Sequence, residues 1–236
     1  MQEFSTNISE MEDCEAILEY VYAVLLEEGA IWFSYHFTPI FESQTSPKTF
    51  IWARDYPIEV QRKYIGEDYR KVDPVPQLTF EHGPVLGWSK ALRMARSDRR
   101  ARRYVEIMDE LEIVNWASFA LFGPKNRDAF AAIRFSEDPE TFVRGRLGEY
   151  HSLLLRAHLQ ICKIMDEGRP SVSLSDRERE VLEWMGRGKS SGDIAAILSI
   201  SPETVRTYTR RIYQKLEASD RVTATVRALK LGLIEL

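Results

Sequence analysis

Cysteine is scarce in this chain of 236 residues, which contains only Cys14 and Cys162. Two cysteines do not build a disulfide framework, and such scarcity is typical of proteins from a reducing compartment. No apolar run approaches the roughly 18 residues that indicate a membrane-spanning helix. The first residues, Met-Gln-Glu-Phe-Ser, are acidic and polar, unlike a signal peptide. We therefore expect a cytoplasmic protein that does not contact a membrane.

Motifs for catalysis and for cofactor binding are also missing. No nucleophile elbow, phosphate-binding loop or dinucleotide fingerprint occurs. The four histidines have no metal-ligand spacing with cysteines or acids: His36, His82, His151 and His158. Ser34, Tyr35 and His36 are adjacent, but successive strand residues point to opposite faces, so the three do not form a triad. We expect no enzymatic activity, no metal ion and no cofactor.

Charge is distributed unevenly along the chain. Residues 171–236 contain 11 lysines and arginines against 9 acids, whereas residues 1–170 contain 21 against 27. The C-terminal part is therefore slightly basic in a chain of net charge −4. Any binding to nucleic acid must depend on a local basic surface, which dimerisation would double.

Four helix starts follow one another in the C-terminal part. They are Ser175 with Glu178, Ser190-Ser191-Gly192, Ser201 with Pro202, and Ser219 or Asp220. The first is a capping box, and the third combines an N-cap serine with proline at the first helical position. A tight turn over 199–201 joins the second and third helices, which is typical of a helix-turn-helix.

The third of these helices has an apolar and a basic face. The apolar positions are Val205, Tyr208, Thr209, Ile212 and Leu216, predicted to pack on Val181, Leu182, Ile194, Ile197 and Leu198. The polar positions are Thr204, Arg206, Thr207, Arg210, Arg211, Gln214 and Lys215. A solvated amphipathic helix is the simpler interpretation, but Glu203 is the only acid between 201 and 216. Arginines in this pattern suit DNA phosphates and guanine edges.

Residues 173–234 resemble the DNA-binding domain of the LuxR family of transcription regulators. The matching segments are 177–182 (Arg-Glu-Arg-Glu-Val-Leu), 188–190 (Gly-Lys-Ser), 193–195 (Asp-Ile-Ala) and 204–206 (Thr-Val-Arg). The resemblance implies that Arg206, Thr207 and Arg210 face the major groove, with Thr204 on the same stripe. It further implies that Lys189, Ser190 and Arg211 contact phosphates. A twofold-symmetric homodimer would then read a palindromic operator in double-stranded DNA.

The N-terminal part predicts an α+β fold. Helices are expected at 10–28, 97–111 and 139–165, with a further helix starting at Pro57, and strands at 30–38, 49–53, 115–122 and 129–136. We expect an α/β/α sandwich around an antiparallel sheet over 1–165, a linker over 166–172, and an all-α four-helix domain over 173–236. The helix 139–165 carries more apolar surface than one sheet covers, which favours a dimer interface over a fully intramolecular fit.

The N-terminal part is similar to the ligand-binding domain of the same family, which holds acyl-homoserine lactone signals. The matching residues are Tyr56, Pro57, Tyr64, Asp73, Pro74 and Trp88. The family implies that Asp73 accepts the ligand's amide N–H, that Tyr56 donates to the acyl carbonyl, and that Tyr64 and Trp88 flank the head group. Considered without the family, Asp73 could equally cap the turn before Pro74.

Three residues depart from the family. Val60 replaces a tryptophan whose indole N–H donates to the lactone carbonyl, Trp116 replaces a glycine, and Arg134 replaces a small residue on the last pocket strand. Strand alternation places Trp116 on the same face as Ser118, which the family implies is a ligand contact. Three interpretations stay open: Trp116 restores the indole, Arg134 binds an anion or carbonyl of another ligand, or both fill volume while Arg134 pairs with Glu137 or Asp138.

Together these features predict a ligand-responsive DNA-binding transcription regulator of quorum-sensing type. Its expected signal is an acyl-homoserine lactone bound in an altered head-group pocket. The alternatives are a LuxR-type regulator that responds to another small molecule or to none, and an interaction module that sequesters a related regulator as a heterodimer.

Overall fold

The chain divides into two units, Met1–Gly168 and Arg169–Leu236. The computed structural model describes residues 8–38, 48–66, 69–97, 99, 101–111, 113–142, 146–167 and 172–235. Of the predicted linker, residues 168–171 lie outside this description, whereas 166 and 167 are the last residues of a helix.

A five-stranded antiparallel sheet is the centre of the first unit. Its strands are β1 (Ala30–Phe37), β2 (Phe50–Arg54), β3 (Val85–Gly87), β4 (Trp116–Leu121) and β5 (Ala129–Phe135). They are arranged in the order β2-β1-β5-β4-β3. Side chains of alternate strand residues lie on opposite faces, and both faces are covered.

One face packs against two long helices, α1 (Cys14–Glu27) and α7 (Leu147–Glu167). Asp13 caps α1 by accepting a 2.7 Å hydrogen bond from the backbone N–H of Ala16. The residues of β1 on this face are Phe33, Tyr35 and Phe37, which belong to the larger apolar core. This core holds α1 and α7 on the sheet by burying apolar surface.

The other face is covered by short elements. They are α2 (Ile58–Gln61), which continues as one wide turn over Arg62–Gly66, then a turn of 3₁₀ helix (Tyr69–Lys71), α3 (Val75–His82), α4 (Trp88–Ser97) and α5 (Arg102–Glu110). Their core contains several aromatic residues, and Ser34 and His36 of β1 point to the same face as Trp32. This second core is where the predicted ligand residues gather.

The predicted sandwich is confirmed, with three differences in detail. Strand β3 was not predicted because three residues are too few to show an alternating pattern. The predicted helix at 139–165 is two helices, α6 (Pro139–Phe142) and α7, and α7 continues to Glu167. The arginine-rich segment 97–111 contributes the shorter helix α5.

The second unit contains four helices, as predicted. They are α8 (Asp176–Gly186), α9 (Ser191–Leu198), α10 (Pro202–Lys215) and α11 (Arg221–Lys230). Their caps are Ser175, Ser190, Ser201 and Asp220, each of which accepts a backbone N–H. Val181, Ile194, Val205 and Ile212 lie in the core, whereas Ile197, predicted to be packed, is 44 % exposed. None of the helices in the described residues is long and apolar enough to cross a membrane.

Candidate functional site

Asp73 is the polar centre of the second core of the sheet unit and is only 7 % exposed. Its Oδ1 accepts the backbone N–H of Val75 at 2.9 Å, and its Oδ2 accepts the hydroxyl of Tyr64 at 2.8 Å. The hydroxyl of Tyr104 on α5 donates to the same carboxylate. Burial raises the pKa of Asp73 to about 6, against the lowering effect of these three hydrogen bonds. Asp73 therefore caps α3 and also faces the interior.

A small cavity of about 20 Å³ adjoins Asp73. Four predicted ligand residues line it: Tyr56, Tyr64, Asp73 and Trp116. The other lining residues were not predicted: Trp32, Ser34, His36, Val75, Tyr104, Met108, Ile113, Phe130 and Ala132. A cavity of this size holds about one water molecule, because aromatic side chains fill most of the space.

The remaining predicted ligand residues surround this cavity without lining it. Val60 is buried in the same core. Trp88 packs against Trp116, with ring centroids 4.6 Å apart. Ser118 is fully buried, and its hydroxyl lies 2.7 Å from that of Thr79 and 3.1 Å from the carbonyl oxygen of Leu86. The hydroxyl of Ser118 is therefore occupied by protein groups.

A larger cavity of about 550 Å³ lies beside the small one. The two share Ser34, His36, Tyr56 and Tyr64. The larger cavity extends around the edge strand β2, because residues of both faces of this strand line it. Ile51 and Ala53 lie on the face of His36 and Ser34, their register partners. The alternate residues lie on the other face: Phe50, Trp52 and Arg54. Only the part above Ile51 and Ala53 is continuous with the surroundings of Asp73.

Two polar residues form the floor between the cavities. Ser34 and His36 are buried, and the Oγ of Ser34 lies 3.2 Å from Nε2 of His36. Burial lowers the pKa of His36 to about 4, so its imidazole is neutral near pH 7. Tyr35 points to the opposite face, where its hydroxyl lies 2.8 Å from Nδ1 of His158. The three adjacent residues therefore do not converge on one point.

Arg134 lies between two tryptophans on the sheet face that Trp32 and Trp116 share, although it lines neither cavity. Its register partners are Trp32 on β1 and Trp116 on β4. The Nε of Arg134 and the Nε1 of Trp32 are buried, and neither has a hydrogen-bond partner within the described part of the chain. Asp138, one of the two acids near the strand end, accepts a hydrogen bond from Ser89. We call Trp32, Arg134 and Trp116 the donor row.

The second unit presents its basic stripe on α10. Arg206, Thr207, Arg210 and Arg211 are exposed, and Thr204 is half-buried. Arg206 forms a 2.8 Å ion pair with Glu203, one turn earlier. Two further exposed residues, Lys189 and Ser190, lie at the start of α9. The hydroxyl of Ser190 is engaged in the cap of α9, where it accepts the N–H of Asp193 and donates to its carboxylate.

Lys215, the last basic residue of α10, is held by the protein itself. Its Nζ lies 2.7 Å from the buried carboxylate of Glu178 and 3.0 Å from the carbonyl oxygen of Ser173. Burial opposes ionisation of Glu178, but hydrogen bonds from Lys215 and Ser175 hold its pKa below the usual value. Lys215 therefore stabilises the junction of α8 and α10.

Comparison with known families identifies both units. The family described as autoinducer binding domain matches residues 13–161, and the bacterial regulatory proteins of the luxR family match residues 172–228. A sensor sheet joined to a helix-turn-helix defines a ligand-binding transcription regulator. The chain belongs to the LuxR family of quorum-sensing transcription regulators.

Individual relatives agree with this assignment. The quorum-sensing regulator RhlR of Pseudomonas aeruginosa is 31 % identical over 198 residues, which cover 80 % of this chain and 78 % of RhlR. The transcriptional activator AnoR of Acinetobacter nosocomialis is 28 % identical, with 81 % of each chain covered. The crystal structure of Escherichia coli SdiA superposes with a TM-score of 0.75 at 24 % identity, covering 97 % of this chain and 95 % of that chain. The likeness to SdiA shows a common fold.

Proposed function

We propose that this regulator acts in the cytoplasm as a homodimer, without catalytic activity, and responds to an acyl-homoserine lactone. The observation that carries the ligand assignment is the buried carboxylate of Asp73 beside Tyr56 in the second core. A buried carboxylate is costly unless polar groups pair with it. The secondary amide of an acyl-homoserine lactone would add an N–H donor there.

The two cavities together suggest how the ligand lies. About 20 Å³ beside Asp73 is far below the roughly 300 Å³ of a typical small-molecule site. The part of the adjoining 550 Å³ cavity that lies above Ile51 and Ala53 would receive the acyl chain. We place the head group at Asp73 and the chain across Ser34 and His36, which requires the aromatic side chains around Asp73 to move.

A thermal-shift experiment on the full chain with a panel of acyl-homoserine lactones tests this assignment. A ligand that binds only the folded sensor raises its unfolding temperature. Asp73→Asn should weaken binding about tenfold or more, because it removes the charged acceptor. Asp109→Asn is the matched control, since that carboxylate is exposed on α5. If no lactone of any chain length stabilises the protein, the ligand assignment is wrong.

A regulator that binds another molecule, or none, is the second candidate. It is favoured by the hydroxyls of Tyr64 and Tyr104, which already satisfy Asp73, and by the aromatic side chains that fill the core. The SdiA fold has also been solved in complex with octanoyl-rac-glycerol, an acyl ligand without a lactone. Failure of the lactone panel, together with DNA binding by the unliganded chain, would favour this candidate.

We propose that α10 reads the operator. Arg206, Thr207 and Arg210, with Thr204, would face the major groove, while Lys189, Ser190 and Arg211 would contact phosphates. The exposure of the arginines supports this assignment. The side chain of Ser190 already serves a cap, so a phosphate contact from it would have to share the capping hydroxyl.

Gel-shift titrations at several salt concentrations test the DNA interface. Arg206→Ala and Arg210→Ala should each weaken binding about tenfold or more, since a guanine contact by arginine contributes roughly 1–3 kcal/mol. Arg177→Ala is the control, because Arg177 is exposed on α8 and paired with Glu180 at 2.8 Å. Unchanged affinity and salt dependence in both α10 variants would instead favour the interaction-module alternative.

For the dimer we propose the exposed face of α11. Val222, Val226 and Leu229 are 70 %, 45 % and 36 % exposed and follow one another at helical spacing. In α7, by contrast, Tyr150, Leu154 and Ile161 are buried within their own unit, and Leu159 is 44 % exposed. The apolar surface of α7 is thus used mostly inside its unit. A palindromic operator follows from the symmetry of the proposed pair.

A further inference from the structure

Two unsatisfied hydrogen-bond donors lie side by side in the sensor. The indole Nε1 of Trp32 and the Nε of Arg134 are both buried and without a partner in the described residues. A buried donor that makes no hydrogen bond destabilises the folded protein. Two such donors on one face of the sheet call for an acceptor that the chain itself does not supply.

Their placement is determined by strand register. Trp32 and Arg134 are direct partners in the β1–β5 ladder, so their side chains emerge next to each other on the same face. Trp32 is 2 % exposed and lines the small cavity with Asp73, and its ring packs against that of Tyr56 at 4.5 Å. Trp32 is therefore adjacent to the proposed position of the head group, and Arg134 is its direct neighbour in the ladder.

The third residue of the donor row adds apolar surface beside the two donors. Trp116 pairs with Arg134 from the other side and packs against Trp88. Val60, buried in the same core, has no polar side-chain atom to offer. The two unsatisfied donors are thus on the sheet, whereas α2 offers none at Val60.

We infer that Trp32 and Arg134 together bind an oxygen acceptor of the ligand's head group and so determine head-group specificity. This inference rests on the proposed function, because it places a ligand in the cavity at Asp73. For a lactone the acceptor is the ring carbonyl oxygen. For the ring-opened acyl-homoserine it is a carboxylate, to which a guanidinium makes stronger, charge-assisted bonds. The shared chemistry is an oxygen with free lone pairs, three bonds away from the amide nitrogen.

Binding measurements with three ligands of one chain length test the inference. They are the acyl-homoserine lactone, the acyl-cyclopentylamide that lacks the ring carbonyl and ring oxygen, and the ring-opened acyl-homoserine. The wild type should prefer the better oxygen-bearing ligand to the cyclopentylamide by about tenfold. Trp32→Phe and Arg134→Met should each lose most of this preference while still binding the cyclopentylamide.

Trp52→Phe is the matched control, because Nε1 of Trp52 is also buried and unpartnered but belongs to the core of the other face. It should keep the full preference. Arg134→Met provides a second variant if Trp32→Phe does not fold.

The outcomes separate the two proposals. If the lactone binds and both variants retain the wild-type preference, the donor pair is wrong and the lactone assignment stands. If the ring-opened acid binds best and depends on Arg134, the donor pair stands and the lactone assignment is wrong. If none of the three ligands binds, both are wrong.

Discussion

At the scale of single residues, the carboxylate of Asp73 makes a hydrogen bond to the start of a helix and also faces the apolar interior. It caps α3 through Val75 and faces the second core, where Tyr64 donates to it. Burial raises its pKa from 3.8 to about 6, so the charged form is held in the folded protein at a cost. The folded-state pKa lies above that of an unfolded aspartate. The contribution of Asp73 to the free energy of unfolding therefore falls as the pH rises from about 4 to 6.

The Asp73→Asn variant should reveal this effect. Its free energy of unfolding relative to the wild type should rise by roughly 2 kcal/mol between pH 4 and pH 7. Denaturation followed by tryptophan fluorescence measures it, since four of the five tryptophans lie in the first unit. Asp109→Asn should show a flat difference, and a flat difference for Asp73→Asn would contradict the buried carboxylate.

Two buried histidines change the stability of the protein with pH in the direction opposite to Asp73, over the same pH range. Burial lowers the pKa of His36 and of His158 to about 4 in the folded protein, so each gains a proton more readily when the chain unfolds. Stability from these histidines is therefore lost as the pH falls from about 6.5 towards 4. Two such groups outweigh Asp73, so the wild type itself should be more stable at pH 7 than at pH 4.

The sequence indicated some of these residues and missed others. The motif around Tyr56, Tyr64 and Asp73 is compact in the chain, and its members line one cavity. Tyr104 and Trp32 were missed because they lie about 30 and 40 residues away from Asp73, and only the folded sheet brings them close. Local patterns do not contain such long-range contacts.

At the scale of elements, caps explain why the helices of the second unit were predictable. A cap is a local arrangement of four residues, so its signal is complete in the sequence. Ser175 and Glu178 form the expected box, and Ser190 forms a second box with Asp193. Strand β3, with three residues, has no comparable local signal.

Ser190→Ala should lower the stability of the second unit by about 1 kcal/mol, the usual contribution of a serine cap. Ser191→Ala, at the first helical position of α9, should change it by less than about 0.5 kcal/mol. Hydrogen exchange of the α9 amides in the full chain measures both. Equal effects of the two substitutions would mean that the cap contributes little.

The connection between β4 and β5 requires a glycine at position 123. A Cβ on Gly123 would overlap the carbonyl oxygen of Arg127 and lie 2.7 Å from Nε2 of His158. That imidazole nitrogen also lies 2.8 Å from the same carbonyl oxygen. The glycine is therefore needed for close packing between the hairpin and α7.

Gly123→Ala should destabilise the first unit by about 2 kcal/mol or more, because backbone and a buried ring must shift. Gly148→Ala in α7 has no atom within 4 Å of the new Cβ and should stabilise by about 0.5 kcal/mol through helix propensity. Denaturant unfolding compares the two. A neutral Gly123→Ala would show that the hairpin can relax.

At the scale of the whole molecule, each unit has its own apolar core. Unfolding should therefore occur in two transitions, and one free energy will not describe the chain. A saturating acyl-homoserine lactone should raise only the transition of the first unit, by the mass action of binding to its folded state. Calorimetry of the full chain resolves the two, and an equal rise in both would indicate coupling between the units.

The two cysteines have a practical consequence for following ligand binding. The pKa of the Cys162 thiol is raised to about 12 by burial, and the residue is fully buried, so it resists alkylation. Cys14 is half-buried and lines the larger cavity. A maleimide dye should therefore attach to the natural sequence at Cys14, which peptide mass mapping would verify. The wild-type chain would then carry its own fluorescent reporter on α1, at the part of the larger cavity that lies across β2 from the proposed path of the acyl chain.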